Sequence, residues 1–90
     1  MKLLTKELRE KLPALYTNEN KKDPDAVVKF FTPFSNWTWY ATEFDGDDTF
    51  FGLVDGFDKE LGYFSLSELE SLGPKIERDL WFKPTPLSEL

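Results

Sequence analysis

Any chemistry in this chain has to come from carboxylates, and they crowd one stretch: Glu43, Asp45, Asp47, Asp48, Asp55, Asp58 and Glu60. Converging oxygens of this kind are what Ca²⁺ or Mg²⁺ requires. The EF-hand spacing is not met. With Asp45 and Asp47 as the first and third ligands, Thr49 falls at the fifth position. Phe50 then stands at the sixth, where glycine is needed, and Gly56 at the twelfth, where glutamate is needed. Asp45-Gly46 has a sufficient local role as hairpin-turn chemistry. Acid/base pairs could be assembled from Glu43, Asp55, Glu77 and Asp79, but no sequence feature marks one of them as buried or shifted. Glu77-Arg78-Asp79 reads as an arginine tying the start of a strand to a neighbouring carboxylate.

The inventory removes most other catalytic designs. There is no cysteine and no histidine, so disulfides, thiolates, Cys/His zinc sites and imidazole acid/base catalysis are excluded. No glycine-rich phosphate loop, nucleophile elbow or H-E-x-x-H pattern occurs. The balance leans away from an enzyme without closing the question, and no cofactor, metal ligand or catalytic residue is assigned.

Charge narrows the partners. The net charge is -6, and it is uneven: residues 1–30 carry seven basic and five acidic side chains, residues 31–90 four basic and twelve acidic. Aromatic strands can stack nucleobases, but such platforms are flanked by basic residues that neutralise phosphates. Direct nucleic-acid binding is therefore not expected. No window approaches the roughly eighteen apolar residues of a membrane span, and the N-terminus lacks the apolar core of a secretion signal. A cytoplasmic protein without membrane association is the expectation.

The elements that must position these residues follow from pattern. At 90 residues and 40% hydrophobic content, residues 1–90 are expected to form one domain with one core. Leu4, Leu8 and Leu12 recur every fourth residue between charges, predicting a short N-terminal helix capped by Thr5 and stopped by Pro13. Residues 17–25 read as a loop. From Ala26 the grammar is β-branched and aromatic, with strands expected at 26–32, 37–44, 49–57 and 61–66. Ser67-Glu68-Leu69-Glu70 predicts a short helix after the fourth strand, closed by Gly73-Pro74. A last strand is expected at 79–83. The fold class is thus α+β, an antiparallel meander of four to five strands with two short helices.

Alternation sorts the strand residues onto two faces, if no bulge intervenes. Val28, Phe30, Trp37, Trp39, Ala41, Phe50, Val54, Phe64 and Leu66 make a core face for the helices to cover. Lys29, Phe31, Thr38, Tyr40, Thr42, Phe51, Leu53, Asp55, Tyr63 and Ser65 make the other, a mixture of rings, hydroxyls and isolated charges. From it Lys29, Phe31, Thr38, Tyr40, Phe51, Leu53, Asp55 and Tyr63 are the candidate interaction residues.

Several blocks carry a resemblance over nearly the whole chain: Val28-Lys29-Phe30-Phe31-Thr32-Pro33, Ser35-Asn36-Trp37-Thr38-Trp39-Tyr40, and Gly62-Tyr63-Phe64-Ser65-Leu66-Ser67-Glu68-Leu69. On them the chain resembles the bacterial and phage family catalogued as domain of unknown function 2958. The resemblance implies a setting in bacterial or mobile-element biology and carries over no catalytic residues. The expected function is a non-catalytic interaction module that binds a protein partner, or a second copy of itself, through the mixed face. The alternatives are an acidic DNA mimic that inhibits a host nucleic-acid-binding enzyme, and an enzyme using carboxylates with a divalent metal.

Overall fold

The computed structural model describes residues 2–90. Thr5 opens the first helix, its Oγ1 accepting the Leu8 N–H at 3.2 Å, and α1 spans Lys6–Lys11. Glu7 in the first turn and Arg9 and Lys11 in the last complement the helix dipole. The leucine stripe works mainly from outside the helix. Leu4 precedes α1 and Leu12 caps it, both buried, whereas Leu8 only packs against the margin of the core.

Seven strands follow: β1 (Asp25–Ala26), β2 (Val28–Phe31), β3 (Thr38–Phe44), β4 (Thr49–Asp55), β5 (Lys59–Ser65), β6 (Glu77–Arg78) and β7 (Thr85–Pro86). Five form an antiparallel sheet in the order β5-β4-β3-β2-β6, a meander with β6 added beside β2, while β1 and β7 pair separately. The strand expected at 26–32 therefore divides at Val27, whose N–H donates to the Ala41 carbonyl at 2.8 Å. The strand expected at 79–83 is replaced by β6. Asp79 Oδ1 accepts the Trp81 N–H at 2.9 Å, and this side-chain turn competes with extension of the strand.

The β3–β4 hairpin is organised by Asp45. Its Oδ1 accepts the N–H groups of Asp47, Asp48 and Thr49 at 2.8, 2.9 and 3.0 Å, and Gly46 takes φ +90°, which a Cβ would oppose. The second helix, α2, spans Leu66–Glu70 with Ser65 as its cap, Oγ accepting the Glu68 N–H at 3.1 Å. The cap expected at Ser67 thus lies two residues earlier, because β5 stops at Ser65 and the chain turns helical from Leu66. Ser67 instead binds Asp48, donating its N–H to Oδ1 at 2.8 Å and its hydroxyl to Oδ2 at 2.7 Å. A 3₁₀ turn at Gly73–Lys75 follows, with Gly73 at φ +59°.

The core lies on one side of the sheet. Val28, Phe30, Ala41, Phe44, Phe50 and Phe64 are covered there by Leu3, Leu4, Leu12, Leu66, Leu69 and Ile76. Phe50 is the hub, its ring 4.6 Å from Phe44, 5.2 Å from Phe64 and 5.5 Å from Phe30, distances at which ring pairs add to the gain from burial. Arg78, on β6, donates through Nη1 to the carbonyls of Lys2 and Leu3 and so ties down the N-terminal cover. Asp79, next along the chain, pairs with Lys29 at 3.7 Å.

Two stability effects follow. Ser65→Ala should cost about 1 kcal/mol, the usual loss on removing a serine cap, read as a lower urea midpoint with unchanged slope. The N–H donors of the hairpin, Asp47 first, hold the Asp45 carboxyl below the ordinary carboxylate range. Its ionised form is therefore favoured by folding, a contribution present above the unfolded value of about 4 and lost as pH falls through the lower folded value. The stability difference between wild type and Asp45→Ala should accordingly be larger at neutral pH than in acid; a difference that grew on acidification would reverse the assignment.

Candidate functional site

The side of the sheet away from the core is shaped by one irregularity. β3 pairs with β4 in regular register from Thr38↔Asp55 to Ala41↔Gly52, then resumes at Glu43↔Phe51 and Phe44↔Phe50, leaving Thr42 unmatched. A bulge of this kind reverses the alternation beyond it. Phe44 is delivered to the core and Glu43 to the outer face. Thr42 is buried, its hydroxyl donating to the Phe51 carbonyl at 3.0 Å. Gly52 is required opposite the bulge, because a Cβ there would overlap the Tyr40 carbonyl.

Glu43 is 4% exposed, and both its oxygens are used. Oε1 accepts the Tyr16 N–H at 3.0 Å and Oε2 the Asn18 N–H at 2.6 Å. The loop after α1 is thereby fastened over the sheet. Tyr16 sits at φ +71°, a left-handed conformation costing a non-glycine residue about 1 to 2 kcal/mol, which charge-assisted bonds of this strength can offset. The strain has a geometric result: it brings the Tyr16 hydroxyl to 3.5 Å from that of Tyr63 on β5. The Tyr63 hydroxyl, as donor in this pair, titrates above the ordinary tyrosine range.

Between this loop and the sheet lies a cleft of about 340 Å³. Phe51, Thr42 and Glu43 line it from the sheet, and Tyr16, Leu61 and Tyr63 ring it. The last three are exposed to 64%, 61% and 56%, large values for apolar side chains sharing one site. The rings of Phe51 and Tyr63 meet edge to face at 5.1 Å. Lys21 and Lys22 stand at the rim.

The predicted interaction residues all fall on this outer face, but they divide. Phe51 and Tyr63 belong to the cleft. Lys29, Phe31, Thr38, Tyr40 and Asp55 lie half-buried at the other end, and Leu53 is buried. There the chain following β6 returns over the sheet. Phe82 lies 6.0 Å from Tyr40, Asp79 pairs with Lys29, and the Leu90 carbonyl accepts Lys59 Nζ at 2.9 Å. Burial, then the nearby charges of Asp55 and Asp79, push the Tyr40 hydroxyl pKa upward. Tyr16, Glu43 and Leu61 were not among the predicted residues. Leu61 shares the parity of Tyr63 and was legible on that ground; Glu43 was not, since counting by twos without a bulge sends it to the core.

The Glu43 carboxylate is committed to two backbone donors, and among the described residues no group of three or more acids is placed to hold a metal ion. Glu43→Ala leaves two N–H groups without their acceptor and should cost about 2 to 3 kcal/mol if they stay buried. The loop would then open, so trypsin should cut faster after Lys21 and Lys22, with Glu43→Gln intermediate; unchanged cleavage would mean that the carboxylate does not hold the loop. Tyr16→Phe should lower the Tyr63 titration midpoint toward the ordinary value, followed by tyrosinate absorbance.

Comparison with known proteins adds the lineage. No curated protein and no solved structure matches the chain. The family model described as protein of unknown function (DUF2958) matches residues 3–90. That span takes in the bulge, the loop anchored by Glu43 and the whole sheet, and the chain belongs to the DUF2958 family.

Proposed function

We propose that the protein is a non-catalytic recognition module that binds a protein partner through the cleft side of its sheet, in the cytoplasm of a bacterial or mobile-element host. The observation that carries this reading is the ring of Tyr16, Leu61 and Tyr63, each more than half exposed, around an apolar cleft walled by a loop that a buried carboxylate anchors. Tyrosine suits such a surface because it offers a broad apolar body with a polar edge and loses little rotamer entropy on contact. Exposed apolar residues grouped in this way mark interaction sites, whereas singly scattered ones do not.

The acids support this reading better than charge mimicry, which needs carboxylates free along one exposed face. Asp45 and Asp48 are engaged in the β3–β4 turn and at α2, Asp23 accepts from the Ser88 hydroxyl at 2.6 Å, and Glu43 is buried. With its net charge of -6 the protein is expected to bind DNA undetectably at physiological salt.

The test is a photo-crosslinking amino acid placed at Tyr16 in the native host, with Phe34, 90% exposed in the β2–β3 connection, as the control position. A discrete adduct with a different protein at position 16, absent at position 34 and lost on Leu61→Asp, is the expected result. No adduct at position 16, or equal adducts at both positions, would overturn the reading.

A further inference from the structure

The two edges of the main sheet are unlike. At one, β6 is two residues long; at the other, β5 runs seven residues, Lys59–Ser65, in unbroken register with β4. Long edge strands are usually blunted by proline, a bulge or a cover, because their free N–H and C=O groups template another strand. β5 contains no proline and no bulge. Among the described residues, β4 is the only strand that pairs with β5. Leu61 and Tyr63 stand exposed on its outer face, and the space beside Gly62 is open, with nothing within 4 Å of where a Cβ would lie.

The occupant can be read from the strand itself. Residues 59 and 65 are equidistant from Gly62, so an antiparallel copy related by a two-fold axis through Gly62 pairs all seven residues. That register sets Leu61 opposite Tyr63 of the second copy twice over, gathering four exposed apolar side chains on one face. Lys59 falls opposite Ser65 and Glu60 opposite Phe64, so no like charges meet. Centring the axis on Glu60 instead sets two carboxylates against each other and pairs fewer residues. A self-complementary patch of this kind is what a two-fold interface needs.

We infer that the β5 edge pairs with β5 of a second copy of this chain, in antiparallel register centred on Gly62, joining two five-stranded sheets into one of ten. The inference goes beyond the proposed function, since it concerns the strand edge and a like partner, although Leu61 and Tyr63 border both surfaces. Gly62 is the point of leverage. Residue 62 meets its own counterpart across the axis, with Cβ atoms about 5 Å apart. Its backbone is not left-handed and its surroundings are open, so a side chain there leaves the single chain unstrained.

The test uses the wild-type chain with Gly62→Asp and Gly62→Lys, weighed by light scattering over a dilution series. Wild type should move from 10.5 kDa toward twice that mass as concentration rises, with β5 amides gaining protection from hydrogen exchange in step. Each variant alone should stay at the single-chain mass, and an equimolar mixture should recover the dimer as a one-to-one pair. A wild type that remains at 10.5 kDa at every concentration, without added β5 protection, overturns the inference. Variants that dimerise as well as wild type, or a mixture that stays monomeric while wild type pairs, overturn it too. If either variant fails to fold, the wild-type exchange series decides alone. Retention of the Tyr16 adduct in the Gly62 variants separates the two surfaces: losing the dimer leaves the cleft reading standing, and losing the adduct leaves the dimer standing.

Discussion

At Thr42, strand β3 of the meander carries one residue more than its neighbour can match, and the fold is arranged around that surplus. Before it, odd-numbered residues of β3 face the core, through Trp39 and Ala41; after it, Phe44 does. A single strand thereby supplies an aromatic to the Phe50 cluster and, one residue away, a carboxylate to the opposite side. The surplus residue is itself accommodated. Its hydroxyl satisfies the Phe51 carbonyl, and its own carbonyl accepts Asn18 Nδ2 at 3.4 Å. Buried polar groups are kept only where they are paired, and no buried side-chain nitrogen or oxygen among the described residues lacks a partner.

What the bulge delivers, the loop after α1 uses. A carboxylate beneath an irregular segment gives backbone N–H groups a strong acceptor where no strand is available to provide one. Glu43 does this for Tyr16 and Asn18, while the Phe44 N–H reaches the Pro13 carbonyl at 2.9 Å, so the stretch just after the bulge fastens both the start and the middle of the loop. The cost is a left-handed tyrosine, and the result is a pair of facing tyrosines over an apolar floor. Strain at a site is informative when its consequence is visible, and here the consequence is the cleft wall.

The rest of the outer face is covered by residues 79–90. β7 is held against β1, Ser88 against Asp23 and Leu90 against Lys59, so residues 79–90 lie on the sheet through contacts at several points. Phe82 and Asp79 occupy the space above Tyr40 and Lys29. The surface left for recognition is the end beneath the loop, next to the one long edge of the sheet.

The α+β class, the meander, the Thr5 cap, the Asp45 hairpin and nearly all of the core face are determined by the sequence alone. These rest on local rules: side-chain period, turn chemistry and capping each act over a few residues. The family resemblance was legible in the same local way, from contiguous blocks around Trp37-Thr38-Trp39-Tyr40 and Gly62-Tyr63-Phe64. The tertiary structure decided the rest. That Thr42 is the surplus residue depends on how β4 aligns against β3, with the close backbone approach at Gly52, and no local pattern reports it. Capping at Ser65 in place of Ser67 depends on how far β5 stays paired with β4, and the strand at 77–78 depends on β2 being open to receive it. The cleft itself joins residues 16, 43 and 63, whose proximity is set by strand pairing and loop closure, long-range events that spacing along the chain does not encode.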